Sequence, residues 1–186
     1  MPMISQHNVG RIAERIVANE LEARGFRVSD LNSDGTAANA DLLAVSQSLI
    51  LQVQVKGAAN LETGRWWVEY GFCTHEIIAN PAESMFNRRK SFYTADRVVL
   101  VAVRSPSKYS CIVLPVAEAE RAVQLNLDRD YRTLTRAGQP KTPHKLYVTL
   151  EPSPRERVRD AHLGEERAIL QRYRDEGGWD CLIHST

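Results

Sequence analysis

Residues 40–56, ADLLAVSQSLILQVQVK, read as two short β-strands, Ala40 to Val45 and Leu49 to Lys56, separated only by Ser46, Gln47 and Ser48. Antiparallel partners share a face and side chains alternate with a period of two, so the register of this hairpin fixes which residues are buried. With Gln47 and Ser48 as the loop residues, Ser46 faces Leu49, Leu43 faces Gln52 and Asp41 faces Gln54, and Lys56 follows on the same face. The other face then carries Leu42, Ala44, Leu51, Val53 and Val55. All are apolar, and a slip of one residue would bury the polar set instead. Polar groups therefore gather at one end of the hairpin, as Gln52, Gln54, Asp41 and Lys56. They read either as a site or as a solvated strand end.

Upstream, Val9, Ile12, Ala13, Ile16, Val17 and Leu21 recur at helical spacing until Gly25, which predicts a helix from about Val9 to Arg24. Glu14 lies on its apolar stripe, with Gly10, Val17, Ala18 and Leu21. A carboxylate there needs a compensating cation, either a metal ion or Lys56, unless it sits at the margin and pairs with Arg11 or Lys56.

Downstream, Trp66 to Phe72 is β-prone, and Asn80-Pro81-Ala82-Glu83 carries the cap, first-turn proline and third-position glutamate of a helix start, predicting a helix from Pro81 to about Tyr93. Arg97 to Val103 and Tyr109 to Val116 are nearly all apolar and β-branched, as in central strands covered on both faces. A helix over Ala117 to Leu125, a strand over Leu146 to Leu150 and a helix from about Pro154 to Glu176 complete the pattern, the paired glycines Gly177 and Gly178 ending the last helix and Trp179 folding back onto the core. The order predicts an α/β fold, a three-layer α/β/α sandwich around a central mixed sheet. Without repeats or long linkers, residues 1–186 are expected to form a single domain, its core at about 9–116 with the C-terminal strand and helix at about 146–176.

The chain has 186 residues, 43% hydrophobic and 25% charged, the composition of an ordinary globular protein. Its apolar runs are too short to cross a bilayer, and the N-terminal stretch lacks a signal peptide's unbroken apolar core, so a cytoplasmic location is expected. Three cysteines without a CxxC pair fit free thiols; Cys73, His75, Cys181 and His184 match no usual zinc spacing. A net charge of +1 leaves any phosphate-binding surface to local patches. Two such patches are Arg88-Arg89-Lys90, on the helix expected there, and the stretch holding Arg129, Arg132, Arg136, Lys141 and Lys145. Both read either as solvated faces or as nucleic-acid contacts.

GRIAERIVANELEARGF, then ADLLAV, then LQVQVKG together resemble the PD-(D/E)XK nuclease superfamily. The resemblance covers roughly residues 9–116 in the order of elements, and implies a restriction-endonuclease-like fold. It implies active-site roles for a helix glutamate, an aspartate at the start of a core strand, and an acidic-or-glutamine, any residue, lysine triplet on the next: here Glu14, Asp41 and Gln54-Val55-Lys56. Ala40 stands in place of the name-giving proline, and Gln54 in place of the more common acidic residue. The Gln-x-Lys triplet is similar to that of Mrr-type restriction endonucleases, and the helix glutamate to archaeal Holliday-junction resolvases. The resemblance implies phosphodiester hydrolysis in DNA with Mg²⁺ or Mn²⁺ held by Glu14, Asp41, the Gln54 oxygen and the Val55 carbonyl, Lys56 serving the attacking water. By analogy it implies a homodimer, and a role in restriction, repair or mobile-element defence. RNA remains an alternative substrate. A catalytically degenerate nuclease fold, binding nucleic acid or protein, is the alternative function.

Overall fold

The computed structural model describes residues 6–31, 40–59, 66–69, 73–74, 87–88, 92, 94–132, 145–148 and 164–183. Helix α1 spans Gln6–Ala23 and turns Val9, Ala13, Ile16, Val17 and Leu21 into the core, as the spacing predicts. It ends in a left-handed cap. Gly25 has φ 87°, Phe26 N–H donates to the Leu21 carbonyl and Gly25 N–H to that of Glu22, and Phe26 packs in the same cluster as Leu21. That bonding pattern uses the carbonyls a helix end leaves open.

The chain then enters β1 (Arg27–Asp30), β2 (Leu42–Val45) and β3 (Ile50–Ala58). After these come β4 (Trp66–Glu69), β5 (Cys73–Thr74), β6 (Asn87–Arg88), β7 (Arg97–Ser105) and β8 (Lys108–Pro115). Helix α2 (Val116–Arg132) and strand β9 (Lys145–Val148) follow, and helices α3 (Gly164–Arg172) and α4 (Glu176–Ile183) close the described chain. Five strands form one sheet in the order β1-β2-β3-β7-β8. It is mixed, because β3 and β7 are parallel while the other neighbours are antiparallel. Among the described residues no helix is long and apolar enough to cross a membrane.

Strand β7 shows how the sheet is covered. Its side chains alternate between two apolar clusters. Val99, Val101 and Val103 pack with α1 and with Trp179 and Leu182 of α4. Val98, Leu100 and Ala102 pack with Ala119 and Val123 of α2 and Ile169 and Leu170 of α3. Both faces of a near-continuous β-branched run are thus buried, which is why no polar alternation marks it in the sequence.

The β2–β3 register is the expected one: Leu43 pairs with Gln52 and Ala44 with Leu51, while Ser46 N–H closes the turn on the Leu49 carbonyl at 2.8 Å. Several expectations are corrected. Residues 87–88, inside the helix expected over Pro81 to Tyr93, form β6, paired with β5; residues 81–86 lie outside the described part. The strand expected from Trp66 is described over Trp66–Glu69, residues 70–72 lying outside the described part, and it pairs with β9, apart from the main sheet. Helix α2 runs beyond Leu125 to Arg132. The last helix is two helices, and its break falls at Tyr173–Asp175, before the glycines, where Asp175 takes φ 49°. Gly178 is needed for close packing, since a Cβ there would lie 2.1 Å from the Tyr173 carbonyl oxygen. Strand β1 is an addition that the sequence reading did not contain. Its four residues are mostly exposed and lack an apolar rhythm.

Candidate active site

The β2–β3 hairpin is asymmetric in length, and its candidate chemistry lies where β2 stops and β3 continues. Asp41 N–H still donates to the Val53 carbonyl at 2.9 Å, and Leu31 N–H donates to the Asp41 carbonyl at 2.9 Å. One step further on, the Asp41 side chain takes over from the backbone. Its Oδ2 accepts the Val55 N–H at 2.6 Å and the Gln54 side-chain amide. A carboxylate receiving two donors in a half-buried setting is a charge-assisted arrangement of about twice the strength of neutral hydrogen bonds. The N–H and C=O of a strand residue point to the same side. The Val55 carbonyl therefore faces the edge that β2 has vacated, beside Asp41.

Gln54 is 6% exposed, one of few buried polar side chains among the described residues. Lys56 is half-buried and shares the Gln54 face by alternation. The opposite face of β3 seats α1. Gly57 lies against it so closely that a Cβ would come within 2.9 Å of the Val9 carbonyl oxygen and 3.0 Å of the Ala13 Cβ. This contact places the neighbouring Glu14 at the rim of the sheet. Burial raises the Glu14 carboxyl above its ordinary value, the Asp41 and Asp30 carboxylates raise it further, and Arg11 and Lys56 pull it down. Glu14 thus feels both Asp41 and Lys56, although it approaches from the face opposite Gln54 and Lys56.

The four expected side chains therefore fall into a hydrogen-bonded pair, Asp41 with Gln54, and Glu14, which is coupled through the field to Asp41 on one hand and to Lys56 on the other. Among the described residues no group of three or more His, Cys, Asp or Glu side chains is arranged to hold a metal ion. The donor set suits a hard cation in a different way. Mg²⁺ takes one or two carboxylates and completes its shell with water and substrate oxygens; here Asp41 and Glu14 would be those carboxylates, and a cation would relieve the repulsion by which Asp41 raises the Glu14 carboxyl. Gln54 as placed turns its amide nitrogen toward Asp41, so its oxygen would serve as a metal ligand only with the amide turned over.

Of the groups coupled to Glu14, Asp30 was not among the expected residues, and Arg11 was expected only as an alternative ion-pair partner of Glu14. Arg11 is one turn from Glu14 on the same helix, a spacing visible in the sequence; Asp30 depends on β1 and is not. Of the expected basic contacts, Arg88 stands on β6 rather than on a helix, Arg132 is the last residue of α2, and Arg89, Lys90 and Arg136 lie outside the described residues.

No protein-family model and no curated protein matches the chain. Among solved structures, a bacterial homing endonuclease, I-Ssp6803I, is similar over 91% of this chain and 95% of that one, with 16% sequence identity and a TM-score of 0.47.

Proposed function

We propose that this chain is a metal-dependent nuclease of the PD-(D/E)XK type, hydrolysing phosphodiester bonds in DNA on a three-layer α/β/α scaffold. The observation that carries the reading is the Asp41 carboxylate, bonded to Gln54 and to the Val55 N–H where β3 outruns β2, with Glu14 within the field of both Asp41 and Lys56.

Asp41 and Glu14 would hold Mg²⁺ or Mn²⁺, with the Val55 carbonyl and a reoriented Gln54 oxygen beside them. The ion, when bound, supplies Lewis-acid polarisation of a phosphoryl oxygen and a more acidic water. Lys56 orients the attacking water and offsets charge developing on the phosphate. Lys56 is half-buried and stands in register with Leu100 of β7, which limits the directions its side chain can take. Cutting both strands of a duplex usually uses two such sites, so by analogy a homodimer belongs to this reading, as does a role in restriction, repair or mobile-element defence.

One observation favours a second reading. The Gln54 amide already satisfies Asp41, which suits a degenerate site kept for binding nucleic acid or protein. Incubation with supercoiled plasmid, linear and branched duplexes and RNA, in Mg²⁺, Mn²⁺ or EDTA, separates the two. Metal-dependent cleavage by the wild type, lost in Lys56→Ala, supports the nuclease; binding by both proteins with cleavage by neither supports the degenerate site.

A further inference from the structure

Beside the candidate site a groove of about 260 Å³ runs between α1 and the β1–β2 edge, lined in part by Arg11, Glu14, Arg15, Glu22, Asp30 and Leu42. Its volume is below the range of about 300–1,000 Å³ usual for small-molecule pockets, so it suits one extended charged group rather than an enclosed ligand. Glu14 lines the groove and also belongs to the candidate site, so the two share a carboxylate that feels the charge of Asp41.

Arg11 and Arg15 are exposed on this face of α1. They are four residues, about 6 Å, apart along the helix axis. Like charges at that spacing disfavour a helix, a cost that an anion between them reverses. Arginine's planar fork matches the oxygens of a phosphate. Glu14, Glu22 and Asp30 in the same groove repel an anion, which confines it to the exposed arginine edge.

We propose that Arg11 and Arg15 hold a backbone phosphate of the nucleic-acid strand next to the one cleaved, and so position the strand across Asp41. This inference rests on the nuclease reading of the site for its ligand. A phosphate contact releases counterions, so the salt dependence of binding reports it directly.

The test is anisotropy of a short labelled duplex across a salt series, with wild type, Arg15→Ala, Arg11→Ala/Arg15→Ala and Arg15→Lys, each checked by circular dichroism for folding. Removing each arginine is expected to weaken binding several-fold and to lower the slope of log affinity against log salt by about 0.9, while Arg15→Lys keeps the slope. An unchanged slope in the folded double variant overturns the proposal, even where the wild type cleaves. An arginine-dependent slope in a protein that cleaves nothing upholds the contact and removes the nuclease reading. Binding of no nucleic acid by the wild type removes both.

Discussion

Glu14 is the residue at which burial and charge act together. Its carboxyl is raised first by burial, then by Asp41 and Asp30, against Arg11 and Lys56. A carboxyl whose folded pKa exceeds its unfolded one favours folding while protonated, and that contribution is lost as pH rises through the folded pKa. Glu14→Gln should therefore be more stable than the wild type at neutral pH, the advantage vanishing once the pH falls below the ordinary carboxylate range. Thermal unfolding followed from neutral to acid pH checks this, and an advantage that grows toward acid would contradict it. Gln54 makes the opposite case, a neutral group donating to Asp41. Gln54→Glu sets carboxylate against carboxylate in a nearly closed position, so it should cost about 1–3 kcal/mol without metal and regain more stability than the wild type on adding Mg²⁺. Equal Mg²⁺-induced shifts in Tm for the two proteins would sink this account of Gln54. The Asp41–Gln54 contact was legible in the sequence, because hairpin register follows from the apolar face alone. Asp30 was not, because its strand shows neither burial nor alternation.

At the scale of elements, local signals were read well and long-range ones poorly. The α1 stripe, its Gly25 cap, and the β2–β3, β7 and β8 strands all follow from period, cap and turn chemistry in contiguous residues. The end of α3 does not. Asp175 N–H donates to the Cys111 carbonyl at 2.7 Å and Val113 N–H to the Tyr173 carbonyl at 2.8 Å, while Ser110 Oγ and Cys111 N–H both donate to Asp175 Oδ1. Bonds across more than sixty residues thus stop this helix, and no local pattern reports them. Likewise the cap-and-proline signal at Asn80-Pro81 does not foresee Asn87–Arg88 pairing with Cys73–Thr74. The seat of α1 on β3 lies between these cases, since Gly57 is plain in the sequence but its reason is the helix backbone above it. Gly57→Ala would press a methyl against the Val9 carbonyl, which cannot swing away as a side chain can. The expected cost is about 1–3 kcal/mol, read as a lower urea midpoint, and under the proposed nuclease function weaker cleavage as Glu14 is displaced. Unchanged stability would mean that α1 shifts without penalty.

Across the whole molecule, β7 joins the two apolar clusters, since its alternate side chains belong to each. Unfolding of one face therefore exposes the other face of the same strand, and the described core should unfold as one unit. Helix α4 is tied into it from the far end of the chain. Trp179 is 3% exposed, and the Arg24 guanidinium lies over its ring at 4.7 Å. Arg24 also pairs with Glu20 on α1 and Glu176 on α4. Glu20 in turn accepts the Tyr109 hydroxyl at 2.5 Å, a bond that with burial pushes the phenol up to about 12. The cluster links α1, β8 and α4 at a distance in sequence that composition cannot reveal. Trp179→Ala removes its largest apolar group and should cost about 3–5 kcal/mol. If the core is one unit, the urea midpoint falls while far-ultraviolet circular dichroism and the fluorescence of the remaining tryptophans still change in a single coincident transition. Two separate transitions would instead mark α4 as a unit that detaches while the sheet and α1 hold, and Glu14 would then keep its place without the C-terminal helices.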